Sequence, residues 1–358
     1  MEKSVAKKKR VGWLDYGKGI LILSVVLVHT IGSLYKTGQF PAAAMGLEMS
    51  QRVLFMFVMP VFFAISGYLF KPSTDWRQYI TGLGKKLVML GVPYVVFSVV
   101  YVILQNLSSS TVHDRYAISD LLYIGINPVG YLWYLYVYFF ILVLFGALTL
   151  VIKRKGVLVA VYAVLFALAI LGFLPTLYAI NQTVLWGATF LVGYLLRSKL
   201  QRGQMAVLGG VSLGLIVALW ILQGASTWFY DTNFITPANF AMKLLTIPVF
   251  FAIFMWLGEM TDKVSNVVRY FGKISLVIYL IHPPVVSIAR IVVMKVLGNN
   301  LLIDLVLVFL VAMAVSLFGE WLSKKLKLVA FIFYPTRFLP TGMGLDVLAM
   351  IKRRFSAE

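Results

Sequence analysis

Lys18 and His29 stand eleven residues apart at the two ends of one apolar stretch, Ile20 to Val28. Ionisable side chains at hydrocarbon depth are expensive to keep and are functional candidates by default. At 100° per residue, eleven steps end about 20° beyond three whole turns, so both side chains share one helical stripe, roughly 16 Å apart along the axis. Asp15, three residues before Lys18, falls near the same stripe. An imidazole titrates near neutrality in the ordinary case. His29 could therefore serve as a general base, taking the proton of a hydroxyl that attacks an activated acyl group. The competing reading is a histidine that donates to a neighbouring helix's carbonyl. Lys18 is too far from His29 to act with it directly and suits a phosphate arriving at the helix entrance. A long, thin acyl carrier such as coenzyme A would then lie along the stripe, phosphates at Lys18 and thioester at His29. An Asp15–Lys18 pair closing the helix end, or a snorkelling lysine, accounts for the same residues without a ligand.

Other chemistry-bearing residues are less sharply placed. Ile278-Tyr279-Leu280-Ile281-His282-Pro283-Pro284 places two prolines beside a histidine, a pattern expected to break the helix there and take His282 out of helical geometry. Broken backbone at membrane depth is tolerated where protein buries it or where it lines a wet cavity. His282 thus either borders a cavity or satisfies carbonyls freed by the kink. In Phe62-Phe63-Ala64-Ile65-Ser66-Gly67-Tyr68, Ser66 and Gly67 suit close helix approach, and no local base supports a serine nucleophile. His113, beside Asp114 and Arg115, reads as a solvated loop histidine. Trp228, Tyr230 and Asn233 suit sugar stacking and hydroxyl recognition, or an interfacial aromatic belt.

The elements that must carry these residues are membrane helices. Hydrophobic residues make up 61% of the 358 and charged ones only 13%, about half the charge of a soluble domain, and the mean hydropathy is +0.91. There is no cysteine, which excludes disulfides, thiolate metal sites and a cysteine nucleophile. The three histidines are far apart, so no bound metal is expected. Ten apolar spans are read, near 17–35, 52–70, 86–104, 131–151, 156–173, 175–196, 205–223, 241–257, 274–294 and 301–322, each close to bilayer length. The first follows a basic stretch but carries a histidine and is read as a retained helix rather than a signal peptide. A net charge of +19 would suit nucleic acid, but most of the basic residues fall in alternate connections. The positive-inside rule then puts both termini in the cytoplasm. The expected fold is an all-α polytopic bundle, with residues 1–322 as the transmembrane domain and 323–358 as a cytoplasmic, interfacial basic tail.

Taken in order, several segments resemble the acyltransferase 3 family of integral membrane acyltransferases that modify bacterial surface glycans. They are Asp15…Lys18-Gly19-Ile20…Val25-Val26…His29, Phe62-Phe63…Ser66-Gly67-Tyr68, Leu87…Pro93-Tyr94, Leu132-Trp133-Tyr134-Leu135, Gly193-Tyr194-Leu195-Leu196 and Ser275…Tyr279-Leu280-Ile281-His282-Pro283. The resemblance implies transfer of an acyl group, usually acetyl from acetyl-CoA, to a sugar hydroxyl. It places an essential histidine at His29, with ten residues between it and an arginine. Lys18 stands in the arginine's place, keeping the charge and losing the planar fork.

The resulting expectation is an O-acyltransferase of the bacterial inner membrane. His29 is its base and Asp15 the partner that positions Lys18. Lys18, Ser66 and Tyr68 attend the donor, and Trp133, Tyr134, Tyr279 and His282 line the acceptor site. Acyl-CoA is a donor substrate rather than a tightly bound cofactor, and the acceptor is a polysaccharide or lipid-linked glycan. No esterase-type domain is expected after the membrane part, so the membrane domain or a partner completes the transfer; homo-oligomerisation is left open. The alternative is a transporter or flippase for such a glycan, which many spans, intramembrane charges and a broken ninth span also fit.

Overall fold

The computed structural model describes residues 12–107, 116–197, 201–222 and 237–338. Among these the chain is helical without strands, in the order α1 (Gly12–Tyr35), α2 (Ala44–Leu69), α3 (Trp76–Leu107), α4 (Trp133–Val151), α5 (Lys155–Ile170), α6 (Tyr178–Leu196), α7 (Arg202–Leu222), α8 (Pro237–Leu257), α9 (Lys263–Lys273), α10 (Ser275–Leu297), α11 (Leu301–Lys325) and α12 (Lys327–Phe333). Nine of the described helical segments are long and apolar enough to cross a bilayer. Large apolar side chains such as Leu302, Leu310, Phe318, Val211 and Leu222 stay exposed. Helices apolar on every side belong in lipid. The chain is a multi-pass membrane protein.

The span read at 156–173 is shorter in the structure. Helix α5 has 16 residues and stops at Ile170, about 24 Å of rise against a hydrocarbon core of about 30 Å. Gly172 follows with a φ of 76°, a left-handed turn that L side chains avoid. Several other helices reach past their apolar runs, α3 most of all, starting at Trp76 instead of near 86.

One correction concerns the prolines. Helix α10 runs unbroken through Pro283 and Pro284. Pro284 lacks the N–H that would serve the Leu280 carbonyl, and the Tyr101 hydroxyl donates to that carbonyl instead, at 2.9 Å. A neighbouring helix thus re-satisfies the freed group, the condition under which membrane helices tolerate proline. The transporter reading thereby loses its broken helix.

A further element was not anticipated. The basic segment after α8 forms the amphipathic helix α9, capped by Asp262, whose carboxylate accepts from the Ser265 N–H at 2.8 Å. It clamps the start of α1 where glycine allows backbone approach: a Cβ on Gly19 would meet the Val268 carbonyl, and one on Gly272 the Asp15 carbonyl. Helix α1 is central, packed by α2, α8, α9, α10 and α11. Helices α2 and α6 close on each other by the same device, Gly67 against the Phe190 carbonyl and Gly193 against that of Ala64.

Helix direction alternates, so basic connections gather at one end of the bundle. There the Arg197 guanidinium donates to the Phe70 carbonyl, Arg202 pairs with Glu259, and Lys324 reaches the Tyr270 hydroxyl at 3.4 Å. At the tail, Phe333 of α12 packs on Phe97 of α3, and the Tyr334 hydroxyl donates to Glu320 at 2.6 Å. His113, Asp114, Arg115, Trp228, Tyr230 and Asn233 lie outside the described residues.

Candidate active site

His29 sits in the far half of α1 from the basic end and lines a cavity of about 420 Å³. Gly32 and Ser33 continue its wall along α1 and Lys36 just past that helix's end, Gln51 and Phe55 come from α2, Tyr101 and Gln105 from α3, Tyr131 and Trp133 from the turn into α4, and Pro283 and Arg290 from α10. The volume falls in the range of about 300–1,000 Å³ usual for small-molecule sites. Aromatic rings and amides dominate its polar lining.

The His29 ring meets Tyr131 edge-on at 4.7 Å between centroids, and Phe55 at 6.2 Å. On its other flank, 5.2 Å away, lies the ring of His282. His282 is fully buried, and its Nδ1 is 2.8 Å from the Ile278 carbonyl. A carbonyl only accepts, so Nδ1 carries the proton and, in the neutral ring, Nε2 holds a lone pair. That Nε2 is buried with no hydrogen-bond partner among the described residues. Buried polar atoms are nearly always paired, and an exception calls for an explanation. The His282 ring, oriented by the Ile278 carbonyl, lies 5.2 Å from that of His29. His282 therefore keeps helical geometry, and the carbonyl it serves is that of Ile278, while Tyr101 serves the carbonyl freed by Pro284.

A net of hydroxyl-to-carbonyl bonds holds these rings. The Tyr279 hydroxyl donates to the Tyr131 carbonyl, which ties α10 to the turn that carries the His29 neighbour. Arg290 Nη1 donates to the Ser33 carbonyl at 3.2 Å, bracing α10 against α1 one turn beyond His29.

The sequence-derived residues divide into two groups. His29 and Trp133 line the cavity, and His282 and Tyr279 stand directly behind its wall. Tyr134 packs on Tyr279 at 5.6 Å and stacks on Tyr138 at 6.0 Å, while the Ser66 hydroxyl donates to the Phe62 carbonyl at 3.1 Å. Asp15, Lys18 and Tyr68 are apart from this group. Asp15 is buried in the first turns of α1 under Gly272, and Tyr68 packs edge-on against Trp13 at 5.2 Å at the same end. None of the three lines the His29 cavity. Asp15 is about 21 Å along the axis from His29, so what it can orient is Lys18.

Sequence reasoning missed Arg290, Tyr131 and Tyr101, and also Lys243, which is 1% exposed and sits 5.3 Å from the Trp186 ring. Trp186 in turn packs on Trp133 at 5.4 Å. Arg290 and Lys243 each interrupt an apolar run with a charge, the same signal that singled out His29.

Fold and site together define a polytopic helical membrane protein whose central first helix presents a histidine to a small-molecule cavity. The acyltransferase 3 family model, described as an acyltransferase domain, matches residues 11–323. The chain belongs to that family. It is also similar to the nodulation protein NolL of Mesorhizobium japonicum, with 28% identity over 136 residues, 38% of this chain. The match spans 35% of that relative's length. No solved structure matches the chain.

Proposed function

We propose that the chain is an O-acyltransferase that moves an acyl group, acetyl foremost, from acyl-CoA to a hydroxyl of a bacterial cell-surface polysaccharide or its lipid-linked precursor. The observation that carries this reading is His29 on the wall of an aromatic, amide-lined cavity, with the unpaired Nε2 of His282 behind it. The neutral imidazole of His29 takes the acceptor's hydroxyl proton as the oxygen attacks the thioester carbonyl. The carbon–sulfur bond then breaks, and the imidazolium returns its proton to the departing thiolate. The products are an ester and the free thiol, so the base ends as it began. His282, fixed through Nδ1, positions His29 and stabilises its protonated form.

Lys18 supplies a positive charge at the basic end for the donor's phosphates, with Asp15 holding it. Ser66 and Tyr68 flank the donor's path along α1, and Trp133, Tyr134 and Tyr279 shape the acceptor side. By the positive-inside rule the basic end faces the cytoplasm of a bacterial inner membrane, where acyl-CoA is made, and the cavity opens opposite. Residues 1–322 form the catalytic membrane unit and 323–358 an interfacial tail on the donor side.

Purified protein with labelled acetyl-CoA and a glycan acceptor tests the activity: label should enter the glycan only with enzyme present. Acetyl-CoA should also raise the unfolding temperature in detergent, because binding to the native state stabilises it. A protein that neither transfers label nor responds to acetyl-CoA would return the glycan-transporter reading to first place.

A further inference from the structure

The His29 cavity carries a charge that catalysis as proposed does not use. Arg290 lines it, 8% exposed, and Lys36 stands at its rim. No carboxylate is among the described residues that line it. Apart from the Ser33 carbonyl on Nη1, Arg290 has an Nε that is buried and without a partner among the described residues. A guanidinium is never neutral in a protein, and a buried charge is kept where it is paired. Among the described residues no acid pairs with Arg290. The pairing anion must then arrive with a ligand.

The rest of the lining says what else that ligand carries. Tyr116, Tyr131 and Trp133 offer ring faces and edges, and Gln51 and Gln105 offer amides. These are groups that stack on and hydrogen-bond a polyhydroxylated ring. Tyr116 and Gln105 are themselves tied down, the Gln105 side chain accepting from the Tyr116 N–H at 3.2 Å and the Tyr116 hydroxyl from the Gly130 N–H at 2.8 Å. The Gln51 amide lies over Gly32, where a Cβ would displace it. The wall is preformed.

We infer that this cavity is a binding site for an acidic sugar, whose oxyanion, a uronate carboxylate or a sugar-linked phosphate, pairs with Arg290 while a ring hydroxyl is presented to His29. The site discriminates by charge: a neutral sugar of the same shape leaves the guanidinium unpaired. The hydroxyl's fate rests on the acyl-transfer reading; the binding does not.

The test uses the full-length protein in detergent without any acyl-CoA, following Trp fluorescence and unfolding temperature. The probes are glucuronic acid, glucose 1-phosphate, neutral glucose, inorganic phosphate and free coenzyme A. Both acidic sugars should bind at least about tenfold more tightly than glucose, the weight of one charge-assisted contact, and more tightly than phosphate alone. Arg290→Gln should erase that preference and Arg290→Lys keep part of it, while His29→Ala keeps it whole. Equal binding of glucose and the acidic sugars, binding of neither, or an unchanged preference in folded Arg290→Gln would overturn the assignment. So would Arg290-dependent binding of coenzyme A alone, which would make the anion the donor's. Loss of transfer in His29→Ala with the preference intact separates the two readings.

Discussion

The imidazoles of His29 and His282, carried by helices at opposite ends of the sequence, lie 5.2 Å apart. The inner ring is fixed through Nδ1 by the Ile278 carbonyl, which leaves its Nε2 unpaired next to the ring that borders the cavity.

His282→Asn preserves a donor for the Ile278 carbonyl but removes the basic nitrogen. The protein should fold, with kcat lowered about tenfold or more, up to the roughly 10²–10⁴ of a direct proton acceptor. KM for the donor should stay near wild type, and the acid limb of the pH–rate profile should move. An unchanged kcat and profile would reduce His282 to packing.

Lys18 is assigned to the donor's phosphates, so Lys18→Ala should raise KM for acetyl-CoA about tenfold, the weight of one charge-assisted contact, with kcat largely retained. Lys18→Arg should preserve or improve binding, since the fork suits phosphate. Steady-state kinetics at saturating acceptor decide it; equal KM values for wild type and Lys18→Ala would remove Lys18 from the donor site.

Tyr101→Phe strips the donor from the Leu280 carbonyl and leaves a buried acceptor unsatisfied, a loss of about 1–3 kcal/mol. Pro284→Ala supplies the missing N–H from within α10. The double variant should therefore be less destabilised than the two single effects added together. Unfolding midpoints of the four proteins in one detergent give the coupling directly.

Gly272→Ala places a methyl against the Asp15 carbonyl and the backbone N–H of Gly19. Lifting α9 from α1 should destabilise by about 1–3 kcal/mol, as overpacking does. KM for acetyl-CoA should rise as Asp15 and Lys18 shift. Gly203, which a Cβ would leave uncrowded, is the control: Gly203→Ala should change neither.

Much of the architecture is written in composition. Long apolar runs that cannot be dissolved in water identify the spanning helices, and a charge inside such a run marks His29 without any coordinates. The same rule applied evenly would have marked Arg290 and Lys243. Features that depend on distant partners were out of reach. Pro283-Pro284 reads locally as a break, yet α10 stays whole, and a tyrosine 179 residues away serves the carbonyl that Pro284 frees. Helix α9 reads locally as a charged loop because its apolar side is short and its partner is the start of α1. The 1.5 Å rise correctly separates Lys18 from His29 along one helix. Which of them opens onto a cavity depends on Tyr131, Trp133 and Arg290, which two other stretches of chain deliver.

The acyl-transfer rate of His29→Ala, compared with wild type on the same glycan acceptor and acetyl-CoA, bears most directly on the central claim. With an unfolding midpoint and acetyl-CoA stabilisation close to wild type, the variant should lose about 10²–10⁴ in kcat. A folded, donor-binding His29→Ala protein that transfers acyl groups at the wild-type rate would contradict the account.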